Sequence, residues 1–427
     1  MKNVHLDFDI NLDAISKIEG HAALSLKVRN DEVLDVQFKI TEQKRFYSQA
    51  VRGKSALNVA QLVSRICGTC SIAHLTCCLE AVENALKVET TPQTKILRKL
   101  TTYGMYIRDH AMHLYMFSLP DVLRKDSILE IAETSPELVE QCFKIKAAGN
   151  NLSKLIAGKA VHATYPEIGG HAQIPDKDAV KKSIAELKAV REEIFDMMQI
   201  YHESDFSLIR ETRYVCTNND DFSYTGDEII SSTGTPVPKS HYLWHLQRVI
   251  LPYSTSTGFQ FRGKEFMVGA LARLNLKKNS LHKDTKRDTP SYLSEFPSKD
   301  VYKNNLAQAI ETLHSIDHSI ELLETTDFKQ ETPVAPTIKD GIGVAAIEAP
   351  RGTLYYHVEI GDLKVKEVEL VIPTAQNQVN IGFDIKQLVE QNLHLPKPEL
   401  EFEIEKLIRA YDPCMSCATH FLKVKWL

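Results

Sequence analysis

Two pairs of cysteines carry the spacing of metal ligands. Cys414 and Cys417 lie three apart in Asp412-Pro413-Cys414-Met415-Ser416-Cys417-Ala418-Thr419-His420, where Pro413 sets a turn. Cys67 and Cys70 lie three apart in Arg65-Ile66-Cys67-Gly68-Thr69-Cys70, with His74 following. Each pair can present two thiolates on one side of the backbone. Together the four would make a soft all-sulfur site, suited to zinc, nickel or an iron–sulfur centre. A structural zinc unit usually draws both halves from neighbouring stretches, because a local site folds a local unit. Here most of the chain separates the pairs, which fits a site at the centre of a large domain better than a small staple. Spacing alone leaves structural zinc and a reactive metal both open.

The pairs stand in a frame of short strings. These are Lys17-Ile18-Glu19-Gly20-His21, Gly158-Lys159-Ala160-Val161-His162, Val268-Gly269-Ala270-Leu271-Ala272-Arg273, Glu348-Ala349-Pro350-Arg351-Gly352 and Pro373-Thr374-Ala375-Gln376-Asn377. In this order, framing RxCGxC and DPCxxCxxH, they make the chain resemble the large subunit of nickel–iron hydrogenases over nearly its whole length. The resemblance implies a nickel held by Cys67, Cys70, Cys414 and Cys417. Cys70 and Cys417 would also bridge to an iron that carries carbon monoxide and cyanide. Hydrogen would be split heterolytically there, with the Cys414 thiolate or Arg351 as the base.

Taken alone, Glu19 reads as a surface carboxylate at the start of a strand, and His74 as a core histidine. Asp109 reads as part of a solvated helix face or as an ion-pair partner, and Arg351 as a turn arginine. The resemblance implies further roles. Glu19 would be a buried proton relay with a raised pKa. Asp109 would sit over the metals, and Arg351 beside the iron's diatomic ligands, where a fixed planar cation can steer charge separation. His74, Pro350, Thr374 and Asp412 would line the cofactor, Thr374 near a cyanide. His420 would hold a second metal, magnesium or iron. Two positions depart from the pattern: Ser48 stands where relatives often carry a glutamate that helps hold this second metal, and Gln376 replaces a common tryptophan.

The remaining cysteines have no cluster spacing, and no glycine-rich dinucleotide fingerprint follows a strand. The chain therefore needs an electron partner, which the resemblance implies is a small subunit carrying iron–sulfur clusters. Length and the DPCxSCxxH form are most similar to the alpha subunits of soluble cytoplasmic NADP-linked sulfhydrogenases. That implies flavin and NAD(P) diaphorase subunits as further partners. Maturation would need a nickel chaperone and an endopeptidase that cuts after His420, ahead of 421–427. Two alternatives are an energy-converting, membrane-associated hydrogenase subunit and a non-catalytic relative with a structural zinc site.

Composition narrows the class. The chain has 427 residues, with 43% hydrophobic and 25% charged, an ordinary soluble globular balance. A net charge of −5 without a long basic run argues against nucleic acid. No apolar run reaches membrane-span length, and the N-terminus lacks an apolar signal core, so a cytoplasmic protein is expected. Cys77, Cys78, Cys142 and Cys216 read as buried apolar thiols.

The elements that must position these residues read as an α+β fold: a central bundle of long helices with small antiparallel sheets, as in hydrogenase large subunits. A single domain is expected over 1–427, with an N-terminal sheet to about 45, a helical core over about 50–335, and a second sheet plus the cysteine turn over about 340–427. Alternating residues around Arg29-Asn30-Asp31-Glu32 predict a β-hairpin over 21–39. Helical spacing predicts helices over 55–87 (interrupted by the cysteine turn), 92–118, 136–157, 178–204 and 398–411. Strands are predicted over 341–347, 354–360 and 364–372. The stretches 218–238 and 277–300 read as irregular surface and a solvated loop.

Overall fold

A computed structural model describes residues 6–43, 46–219 and 221–419. The N-terminal sheet has three antiparallel strands, Phe8–Leu12, Ala22–Arg29 and Glu32–Ile40, in that order across the sheet. Its hairpin turns at Asn30 and Asp31, both left-handed at φ 52° and 65°. Short polar side chains tolerate that conformation, and two such residues match the twist of the flanking strands. Ala22, Leu24, Leu26 and Val28 alternate into the core.

The bundle is built from the helices Ser71–Leu86, Pro92–Met112, Pro136–Ala157 and Lys303–Thr325. Pro92 occupies the first turn, where a missing N–H costs nothing, and the Thr91 side chain accepts from the Thr94 N–H. The 92–112 and 136–157 helices touch backbone to backbone. A Cβ on Gly104 would lie 2.7 Å from the Gly149 carbonyl oxygen, and one on Gly149 equally close to that of Gly104. After Met112 the helix widens into a π segment, His113–Ser118. Strands Gly341–Ala349, Gly352–Gly361 and Lys364–Val371 form an antiparallel sheet against the 71–86 helix. The Lys397–Ala410 helix leads into the C-terminal cysteine turn.

Several expectations need correction. The helix over 178–204 is two, Lys177–Arg191 and Glu193–Glu203, meeting at Glu192. The stretch 218–238 is not plain surface: it contributes the strand Glu228–Ser231, and Phe222 and Tyr224 are buried. The 277–300 stretch is not a solvated loop either. Helices Lys283–Asp288 and Pro290–Leu293 fold it back, and Thr285 and Thr289 are fully buried. Helices Ala270–Lys277, Lys303–Thr325 and Pro373–Gln391 were not anticipated individually. The 303–325 helix is buried all round from Asn304 to Asp317, with Asn304, Asn305, Gln308 and Glu311 enclosed along with its apolar residues, which blurs its periodicity.

Candidate metal centre

The two cysteine pairs converge. The four Sγ atoms of Cys67, Cys70, Cys414 and Cys417 all lie within 4.8 Å of one another, and all four residues are buried. Cys70 and Cys417 approach to 2.8 Å, Cys414 and Cys417 to 2.9 Å, and Cys67 and Cys414 to 3.5 Å. Cys67 leaves the 3₁₀ turn Ser64–Ile66 in extended conformation, and Cys70 caps the 71–86 helix. The other pair is swung inward by Asp412, left-handed at φ 50° just past the 397–410 helix. The Cys414 N–H donates to Thr374 Oγ1 at 2.9 Å, and the Met415 N–H to the Glu19 carbonyl at 2.9 Å.

The donor set fits a soft cation. Thiolates bind such a metal at about 2.3 Å, so two ligands of one ion stand no more than about 4.6 Å apart, and the four sulfurs here are gathered within 4.8 Å of one another. Hydrogen bonds from Cys414, Cys417 and Cys70 hold the Cys67 thiol well below the usual thiol range. Burial pushes Cys414 and Cys417 well above it. So buried a set of thiols ionises together when a bound cation supplies the compensating charge.

A cavity opens on the quartet. Cys70, Cys414 and Cys417 line it together with His74, Ala349, Pro350, Arg351, Leu354, Ile372, Pro373 and Thr374. Arg351 reaches it from the turn between the 341–349 and 352–361 strands. Its Nη2 lies 3.0 Å from Asp412 Oδ1 and its Nη1 3.4 Å from Asp109 Oδ2. The buried Nε has no hydrogen-bond partner among the described residues. Burial raises the Asp109 carboxyl to about 6, against the pull of Arg108 and Arg351. Asp412 also accepts from Gln308 Nε2 at 3.0 Å. His74 pairs through Nδ1 with the Tyr356 hydroxyl at 2.7 Å.

The sequence-predicted residues Glu19, His74, Asp109, Pro350, Arg351, Thr374 and Asp412 therefore gather around the four cysteines. Glu19 is placed differently from expectation. It is only half-buried, because it lies on a surface strap that joins the strands Phe8–Leu12 and Ala22–Arg29. One carboxylate oxygen accepts from the Cys414 thiol at 3.0 Å and from the Ser416 N–H at 3.1 Å. Gln376, at the expected tryptophan position, is fully buried and donates to the Thr353 carbonyl at 2.6 Å. Ser48 sits in the short helix Tyr47–Ala50, and His420 lies outside the described residues. Cys77, Cys78, Cys142 and Cys216 are buried free thiols away from the quartet.

Sequence reasoning missed the support beneath Arg351. Arg273 donates to the Ala349 carbonyl at 3.1 Å and the Pro350 carbonyl at 2.9 Å, so it holds the turn from below. Its partners Glu311 and Glu348 are as deeply buried as Arg273 itself. Only the position of Arg273 in a quoted string hinted at this.

Comparison with known proteins agrees with this geometry. The family described as "Nickel-dependent hydrogenase" matches residues 45–151 and 245–420. Sulfhydrogenase 1 subunit alpha of Pyrococcus furiosus is 29% identical, over 99% of this chain and all of that protein. Sulfhydrogenase 2 subunit alpha of the same organism is 31% identical, over 97% of this chain and all of that protein. Among solved structures, an NAD+-reducing [NiFe]-hydrogenase in the H2-reduced state superposes with a TM-score of 0.86 at 22% identity. That match covers 97% of this chain and 99% of the other. The four-cysteine cluster, the α+β architecture and these matches lead to one assignment: the chain belongs to the nickel-dependent hydrogenase family.

Proposed function

We infer that the chain is the catalytic subunit of a nickel–iron hydrogenase that reversibly cleaves H2 to protons and electrons. The observation that carries this is the buried thiol quartet, three of whose cysteines line a cavity together with Arg351. A structural zinc site would need neither a cavity nor a desolvated cation aimed into it. Cys67, Cys70, Cys414 and Cys417 would hold the nickel, with Cys70 and Cys417 shared with an iron bearing carbon monoxide and cyanide. That centre, when bound, supplies the redox chemistry of H2 cleavage.

The protein's own groups do the rest. Arg351, fixed between Asp109 and Asp412, presents a permanent cation where charge separates, and it costs no reorganisation. The Cys414 sulfur lies 3.0 Å from the Glu19 carboxylate, within reach for direct proton transfer, and half-exposed Glu19 can pass that proton outward. The Thr374 hydroxyl, already accepting from Cys414 N–H, keeps its own proton to donate toward the cavity. His74 and Pro350 shape the walls. A second metal, magnesium or iron, would involve His420.

Electrons leave through an iron–sulfur small subunit and pass on to NAD(P) through flavin-containing diaphorase subunits. The alpha-subunit relatives and the NAD+-reducing structural neighbour support this reading. A nickel chaperone and a maturation endopeptidase would act earlier. No helix among the described residues is long and apolar enough to cross a membrane, in keeping with a cytoplasmic complex. The contiguous core running from Ile10 to Ala418 supports a single domain over the chain. Metal analysis with infrared spectroscopy of the purified complex tests the reading. Nickel and iron in equal amount, with bands of iron-bound carbon monoxide and cyanide, are expected. Zinc alone, without those bands, would overturn it.

A further inference from the structure

Glu19 is held to the cysteine turn by a single isolated parallel bridge to Cys414, outside any regular strand. It rides on a strap, residues 15–22, closed at its base by the Ile15 N–H to the Ala22 carbonyl at 3.2 Å. Within the strap, Lys17 is left-handed at φ 56° and Gly20 at φ 84°. Gly20 has to be glycine: an added Cβ would lie 2.9 Å from Met415 Cβ and 3.0 Å from Ser416 N. Lys17 has no such excuse. A lysine in this conformation persists only when its surroundings over-determine it.

Those surroundings are a buried cluster of charged groups. Lys17 Nζ lies 2.8 Å from Asp121 Oδ1, and the Asp121 carboxylate is almost wholly buried. Asp121 also accepts from Arg409 Nε at 2.6 Å and Nη2 at 3.0 Å. Arg409, equally buried, turns its Nη1 to the Ser16 carbonyl at 3.1 Å and to Glu405 Oε2 at 2.8 Å. Two cations and two carboxylates thus balance, and they clamp the strap at Ser16 and at the strained residue itself. Arg409 closes the helix that runs into Asp412 and Cys414, so the clamp grips both partners of the Glu19–Cys414 contact.

We propose that the Lys17–Asp121–Arg409 cluster is the device that positions Glu19 against Cys414, with Lys17 and Asp121 as positioning residues for proton transfer. The proposal rests on the hydrogenase reading for its consequence, but its geometric content stands apart from it. Releasing Lys17 lets the strap relax, and the Glu19 carboxylate moves off the sulfur. Metal binding is untouched, because no cluster member is a ligand. A displacement of about 1 Å is enough to cost up to roughly 100-fold in a positioned step.

The test uses the whole complex carrying Lys17→Met, Lys17→Arg or Asp121→Asn. Amide hydrogen exchange at Met415 and Ser416, whose N–H groups bond the Glu19 carbonyl and carboxylate, reports the strap directly. In parallel, exchange of D2 with solvent protons is measured against para-hydrogen conversion, which needs cleavage but no exit of the proton. Lys17→Met and Asp121→Asn are expected to lose amide protection on the order of tenfold at 415 and 416. They should lower the ratio of solvent exchange to conversion by about 10- to 100-fold, with nickel content unchanged. Lys17→Arg should restore both. Unchanged protection and an unchanged ratio in both variants would overturn the proposal. If Lys17→Met yields no soluble complex, the isosteric Asp121→Asn decides alone. A wild-type complex without H2 activity would instead sink the hydrogenase reading, and the amide measurement would still decide the positioning claim.

Discussion

Arg273 grips Glu311 with a two-pronged ion pair, Nε to Oε1 at 2.6 Å and Nη2 to Oε2 at 2.7 Å, and neither side chain reaches solvent. The third nitrogen, Nη1, pairs with Glu348 Oε2 at 2.9 Å, and His110 Nε2 adds a contact to Glu311 at 3.0 Å. Stripping Arg273 away would strand two buried carboxylates. Arg273→Met should therefore destabilise the protein by about 3–5 kcal/mol, read as a lowered unfolding midpoint in denaturant. Arg273→Lys keeps the charge but cannot bond two carboxylates and two carbonyls, so a loss of activity larger than its loss of stability is expected. Equal behaviour of Lys and wild type would show that the fork is dispensable.

Arg351 should respond to the same conservative change in a different way. Lysine cannot span Asp109 and Asp412 as a planar group. Arg351→Lys is expected to keep the metals and lose roughly 10- to 100-fold in H2 uptake, measured on complex with a verified nickel content. Full activity would remove the guanidinium geometry from the account.

The ligand and the relay are separable by experiment. Cys414→Ser should abolish H2 uptake, and an active protein would refute the proposed ligation. Glu19→Gln should leave nickel and iron bound but slow isotope exchange with solvent by at least about tenfold. Unchanged exchange would take Glu19 off the proton path.

Acid should weaken the fold through buried histidines far from the cysteines. Burial lowers His171 and His318 from 6.5 to about 4, and holds His314 well below 6.5 as well. The unfolded chain then binds protons that the folded chain refuses, so stability is full above about pH 6.5 and falls as pH drops toward 4. For His171 the limiting loss is roughly 3 kcal/mol. Urea midpoints measured between pH 7 and 4.5 should fall, and His171→Phe should flatten part of the slope. A midpoint independent of pH in wild type would contradict these neutral buried rings.

The contact between the 92–112 and 136–157 helices leaves no room for a methyl group. On Gly104 it would lie 2.4 Å from Ser153 Oγ as well as close to the Gly149 carbonyl. Gly104→Ala should cost about 1–3 kcal/mol despite alanine's better helix propensity, and a stabilised variant would refute the close crossing.

What could be read from the sequence was local. The cysteine spacing, the Asn30-Asp31 turn and the proline-started helices at 92 and 136 each carry their signal within a few residues, and each is found where expected. The gathering of Glu19, Asp109, Arg351 and the cysteines followed from matching strings to a family. Arg273 and Glu311 show what stayed hidden. They lie 38 positions apart, and a glutamate inside a helix reads as solvated until its partner is known. The 303–325 helix was missed for the same reason, since polar residues that pair internally erase the apolar stripe that marks a helix. Glu19 failed in the opposite direction: a role assigned by resemblance said nothing about how thinly its strap is covered.

The two halves of the quartet are separated by 347 residues. No partial chain emerging from the ribosome can hold all four sulfurs, because the second pair is made only after the bundle, both main sheets and the final helix exist. A metal held by all four sulfurs therefore acts as a latch between the opening and closing stretches of the chain. Whatever binding free energy the metal contributes is added to the stability of the whole protein at once. Chains truncated anywhere before the second pair should be indistinguishable from one another in their failure to retain nickel.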